Sequence, residues 1–99
     1  SDLYREVLFH CHLAVELALK AEFIRRKDSA APFTHNLNEL AASLEIAVTS
    51  LDQDTLDQLS EYAVLARYGD REWAETHATE QNATAWFEKC DHIISEIFA

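Results

Sequence analysis

The stretch FHCHLAVELALKAEFIRRK, Phe9 to Lys27, decides how the chain folds. It contains neither Gly nor Pro and consists mostly of strong helix formers. Taken upstream to Leu3, its apolar residues recur at Leu3, Val7, Ala14, Leu17, Ala21 and Ile24, with His10 in the remaining slot. Steps that alternate between four and three residues stack side chains along one stripe of a helix. A second set, Leu8, Cys11, Val15 and Ala18, widens the stripe until more than half the circumference is apolar. Such a surface predicts a helix in the middle of a bundle, with neighbours on several sides. The polar positions also fall into line. His12, Glu16 and Lys20 are spaced as one ladder, and Arg25, Arg26 and Lys27 place positive charge at the C-terminal end, where the macrodipole favours it.

The length, 99 residues, predicts one domain over 1–99 with a real core. A single Gly and a single Pro leave little material for a turn-rich β fold, and two Trp, three Tyr and five Phe are too many for a disordered tail. No apolar run approaches the ~20 residues that span a bilayer, so no membrane partner is expected. The N-terminus carries neither a signal segment nor a cleavage site. Helical pattern from about Leu3 onward predicts natural residues upstream of Ser1. Cys11 and Cys90 form no disulfide framework and no CxxC pair, and read as reduced core thiols of a cytoplasmic protein. Eighteen acidic and eight basic residues give a net charge of −10, which opposes non-specific binding to nucleic acid. A local basic site stays open at Arg25 to Lys27 and at Arg67 to Arg71.

Further along, Pro32 within DSAAPFTH cannot continue the first helix. A second begins at THNLNEL, capped by Asn36 with Glu39 or by Thr34, and buries Leu37, Leu40, Ala41, Leu44, Val48 and Leu51. Asp52 or Asp54 caps a third, with Leu56, Leu59, Tyr62, Ala63, Leu65 and Ala66 on its apolar side and Gly69 as its stop. REWAETH is open between loop, short helical turn and early start of the last helix. From Thr79 the pattern Ala83, Trp86, Phe87, Cys90, Ile93, Ile94, Ile97 and Phe98 is helical again. The expected fold is all-α: an up-and-down antiparallel bundle of about four helices.

Three constellations bear on chemistry. His10-Cys11-His12 offers metal-ligand types, but neighbours on a helix diverge by about 100°, so neither metal nor other cofactor is expected. Glu16, flanked by apolar residues, is either part of a solvated ladder or a buried carboxylate that needs a cation, with Arg67 or Arg71 as the expected source. Arg67-Tyr68-Gly69-Asp70-Arg71, followed by Trp73, gathers the residue types of binding hot spots and of nucleotide sites, a guanidinium for phosphate and a ring for the base. Arg67 alternatively covers the last carbonyls of its helix. Arg71 and His77 have the chemistry for RNA hydrolysis, His as general acid or base and Arg on the phosphate.

HCHLAVELALKAEFIRR, THNLNELAASL and LSEYAVLARYGD together resemble the successive blocks of the HEPN domain, named for higher eukaryotes and prokaryotes nucleotide-binding. The matching residues are His12, Ala14, Glu16, Leu19 and Lys20; Thr34, His35, Asn36 and Leu37; and Tyr62, Arg67, Tyr68 and Asp70, with Gly69 where proline is common. The resemblance implies a helical bundle that forms a homodimer, works with nucleotides or RNA, and stands beside a small nucleotidyltransferase. Glu16, Lys20, Arg67, Tyr68, Asp70 and Trp73 are its candidate ligand residues. Many relatives are ribonucleases, toxins of toxin–antitoxin systems among them, with Arg followed four to six residues later by His at the start of the last helix. Arg67 has no histidine in that window, and only the offset pair Arg71 and His77 satisfies it. The reading is therefore a non-catalytic binding and interaction domain. A metal-independent endoribonuclease using Arg71 and His77, and a purely structural bundle, are the alternatives.

Overall fold

A computed structural model describes residues 2–44 and 53–99. It contains five helices and, among the described residues, no strand: α1 (Asp2–Lys27), α2 (Leu37–Leu44), α3 (Gln53–Tyr68), α4 (Arg71–His77) and α5 (Glu80–Ile97). One more helix is present than the sequence pattern gives, because REWAETH, left open between loop, short helical turn and early start of the last helix, closes into the separate short helix α4. Its start is local chemistry: Asp70 Oδ1 accepts the Trp73 N–H at 2.8 Å, a side-chain cap. The same device starts α5, where Thr79 Oγ1 accepts from Asn82 N at 3.1 Å. Asn36 caps α2, its Oδ1 accepting from the N–H groups of Asn38 and Glu39, while Thr34 Oγ1 takes the Asn36 N–H just before it. Asn36 is therefore the cap, and Thr34 holds the residue that caps. Asp54 sits inside the first turn of α3. The expected continuation of the second helix through Val48 and Leu51, and Asp52 as a cap, lie outside the described residues.

Helix α1, 26 residues and about 39 Å long at ~1.5 Å per residue, runs the length of a molecule 42 × 23 × 20 Å across. It packs on α2, α3 and α5. Asp28 ends it in the left-handed region, φ 49, with its N–H returned to Ile24 O at 2.9 Å. The C-terminus of α3 lies against the start of α1, so these two are antiparallel. Tyr62 of α3 meets Asn82 and Trp86 near the start of α5, so α3 and α5 are antiparallel as well. Two reversals leave α1 and α5 parallel: Leu3 and Val7 border a cavity with Ala83 and Phe87, and Ala14 borders one with Ile94. That adjacency departs from a strictly antiparallel bundle.

The core holds Leu8, Val15 and Leu19 from α1, Leu37 and Leu40 from α2, Leu56 and Leu59 from α3, and Ile93 and Ile97 from α5. Here a second correction arises. The stripe that looked dominant in the sequence, Leu3 through Ile24, faces outward, and the second set, Leu8, Cys11, Val15 and Ala18, is the buried one. Both sets have helical spacing, and the side on which α3 and α5 settle chooses between them. Phe87 of α5 is exposed on the same outward side as part of that stripe. Gly69 also acts differently from a left-handed stop, since no glycine has positive φ. A Cβ there would lie 2.4 Å from Leu65 O and 2.9 Å from the Trp73 ring, so the position requires the absence of a side chain.

Candidate functional site

The candidate ligand residues separate into two groups. Glu16, at the middle of α1, is buried to 3% exposure and accepts from His35 Nδ1 at 3.0 and 3.1 Å and from Lys20 Nζ at 3.3 Å. His12 Nε2 stands 3.8 Å from the same carboxylate, and the His12 ring bonds the His35 backbone. Burial pushes the His12 pKa below its ordinary value, against the pull of Glu16. The expected buried carboxylate with a cation is therefore present, but Arg67 is not its partner. Arg67 sits over Phe9, seven residues and so about 10 Å from Glu16 along α1, by the rise per residue. Glu16 and Lys20 act as an internal clasp that draws the linker ahead of α2 onto α1. His35 was part of the THN block, yet nothing local in the sequence pairs it with Glu16.

The second group lies where α3 ends against α1. Arg67 places its guanidinium 4.0 Å from the Phe9 ring centroid, a cation–π contact. Beside it Tyr68 is 82% exposed. Arg5, Glu6, Phe9, Ala66, Arg67 and Tyr68 line an open groove of about 400 Å³. Arg5, which the sequence reading overlooked, does what was considered for Arg67: it covers the last carbonyls of α3. Its Nη2 donates to Gly69 O at 2.9 Å and to Asp70 O at 3.2 Å, and Nη1 to Ala66 O at 3.4 Å. Arg67 is thereby released. It has a ring beneath it and no carboxylate partner among the described residues.

Asp70 is committed to the α4 cap. Trp73 is half-buried, edge-on to Tyr62 at 6.1 Å and stacked with His77 at 5.3 Å and 17°. The Arg5 guanidinium lies 6.0 Å from its centroid. His77 Nδ1 is 3.2 Å from Trp73 O, and Asn82 Nδ2 donates to His77 O at 2.8 Å. Arg71, by contrast, is 93% exposed at its side chain and pairs with Glu75 at 3.3 Å. Six residues along a regular helix is about 240° around its axis. Within one chain the pair points in different directions, Arg71 to solvent and His77 onto an indole. Trp73 is an internal support for the groove and not one of its walls.

A helical bundle with this order of blocks is matched by the family model described as HEPN domain, over residues 1–97. The chain belongs to the HEPN family. No curated protein and no solved structure matches it. The HEPN family covers nucleotide-binding and RNase-like roles, and the two groups just described are the parts of this HEPN domain that bear on the choice. Among the described residues no three His, Cys, Asp or Glu side chains form a metal-binding group, and no helix is long and apolar enough to cross a membrane.

Proposed function

We propose that this HEPN domain binds a nucleotide or single-stranded RNA, without cleaving it, in the α1–α3 groove. The observation that carries the reading is Arg67: a planar cation held 4.0 Å over the Phe9 ring centroid, open to solvent, beside the exposed ring of Tyr68. A guanidinium so placed offers paired N–H donors to a phosphate, and Tyr68 offers a stacking face to a base. The net charge of −10 repels polyanions elsewhere on the surface, so binding is confined to this edge. A small nucleotidyltransferase as partner belongs to the same proposal and rests on the family setting alone.

Fluorescence anisotropy with labelled ATP and a short oligo(A) RNA tests it. Arg67→Ala and Tyr68→Ala each weaken binding about tenfold or more, in line with ~1–3 kcal/mol for one stacking or charge-assisted contact. Arg71→Ala has little effect. Wild-type protein that binds neither probe at millimolar concentration returns the domain to the structural-bundle reading. No RNA cleavage is expected in the absence of metal. Cleavage that disappears in His77→Ala, with helicity retained, would make the endoribonuclease reading primary.

A further inference from the structure

Only two cysteines occur in the 99 residues, one near each end of the chain, and the fold brings both to the same place. Cys11 of α1 lies against Cys90 of α5, at 6% and 3% exposure. A cavity of about 310 Å³ opens beside them between the two helices. The exposed residues His10, Ala14, Phe87 and Asp91 form its rim, and the two thiols are the buried part of its lining. A small solute that enters the cavity therefore reaches sulfur, although neither thiol is open at the surface. As small apolar side chains the two would fill space equally well apart. Adjacency adds a reaction.

We propose that Cys11 and Cys90 are an oxidation site: a small hydroperoxide, hydrogen peroxide being the simplest, converts them into an intramolecular disulfide that ties α1 to α5. The roles of the two sulfurs differ. The Cys90 thiol, bonded toward the Cys11 sulfur, holds the Cys11 pKa below its ordinary value against the effect of burial, while the same contact and burial push Cys90 well up. Cys11 is thus the first to act as thiolate. Its sulfur attacks one peroxide oxygen, the O–O bond breaks, and the departing hydroxide takes up the Cys11 proton as water. That leaves Cys11 as a sulfenic acid next to an intact thiol. The Cys90 sulfur then attacks the Cys11 sulfur, the S–O bond breaks, and hydroxide leaves with the Cys90 proton as a second water. The two sulfurs together lose two electrons, and the two peroxide oxygens gain them. The helix backbones allow the bond. Packed helices lie ~8–10 Å apart with Cα atoms ~2.3 Å from each axis, so facing Cα atoms come within the ~4.4–6.8 Å that a disulfide spans. The pair stands apart from the Arg67 groove, and the proposal does not depend on the nucleotide reading.

Thiol titration, intact mass and thermal melting of the 99-residue chain test the proposal. Exposure of the folded protein to about 1 mM hydrogen peroxide is expected to remove both titratable thiols and two hydrogens of mass, with the chain still a single polypeptide on a non-reducing denaturing gel. The Tm rises by about 10 °C or more, because the bond closes a loop of about 80 residues, and dithiothreitol reverses both changes. Cys90→Ala, lacking the second sulfur, leaves Cys11 as a sulfenic acid that dimedone traps, and Cys11→Ala slows the oxidation of Cys90 about tenfold or more. Folded wild-type protein that keeps both thiols, or takes up oxygen without forming an S–S bond, would overturn the proposal. So would oxidation that proceeds only at the rate of unfolding in urea, since the cavity would then give no access to sulfur. A disulfide between two chains, in place of one within the chain, would refute the α1–α5 cross-link.

Discussion

Replacing Glu16 by alanine tests the central polar contact of the fold. The carboxylate is buried and receives charge-assisted hydrogen bonds from His35 and Lys20. Two such bonds have a gross value of about 3–6 kcal/mol. His35, 81% exposed at its side chain, and Lys20, 23% exposed, regain water when the carboxylate is removed, which offsets roughly half of that. His12 stays buried beside the vacated position and loses the attraction of the Glu16 carboxylate. The expected loss is about 2 kcal/mol, equivalent for a domain of this size to a fall in Tm of about 8–16 °C. Urea titration followed by fluorescence of Trp73 and Trp86 measures it, and Glu16→Gln, which keeps an acceptor, loses about half as much. A double-mutant cycle with His35→Ala should give a coupling of about 1 kcal/mol, and a cycle with Arg67→Ala none beyond ~0.3 kcal/mol. A loss below about 0.5 kcal/mol for Glu16→Ala, or strong coupling to Arg67, would refute the assignment of partners.

Other outcomes follow from single contacts. Gly69→Ala forces a Cβ onto Leu65 O and the Trp73 ring and should cost about 1–3 kcal/mol, read in the same titration. Asp70→Ala removes the α4 cap and should cost about 1 kcal/mol, with a shift of Trp73 emission because α4 positions that ring. Hydrogen bonds from Arg25 and Arg26 hold the Glu22 carboxyl down to about 2, so its contribution is complete above the ordinary value of 4.5 and is lost as pH falls from there toward 2. Arg25→Gln with Arg26→Gln should flatten acid unfolding across that window. His12 has its folded pKa lowered, so the unfolded chain takes up the proton first as pH drops past the ordinary value of 6.5, and stability declines below it. His12→Phe should remove that slope in pH-dependent melts.

Much of the fold was legible because its signals are local. The apolar periods of α3 and α5, and the Asn36 cap, lie within one or two turns of the helix they define. The choice of buried face on α1 was not legible, since two stripes had the same spacing and only the placement of α3 and α5 separates them. The pairings at the site were hidden for a similar reason. Arg5 reaches carbonyls more than sixty residues away, |i−j| = 64 for Gly69, and His35 finds Glu16 only after the linker folds back. Glu16 needed a cation, and its burial was readable from its apolar neighbours, but a histidine in a loop was as good a candidate as an arginine on a helix.

The parallel placement of α1 and α5 has a consequence for synthesis. Of the five helices, the one that α2, α3 and α5 lean on is translated before the other four, and its most extensive partner, α5, after them. From Lys27 to Ile97 the ribosome adds seventy residues, about 4–14 s at ordinary elongation rates. For that interval Cys11, which lies against Cys90 of α5, is wet alongside the stripe that stays outward. A nascent chain in this state leaves both apolar stripes of α1, more than half of its circumference, open to a holdase chaperone or a neighbouring nascent copy.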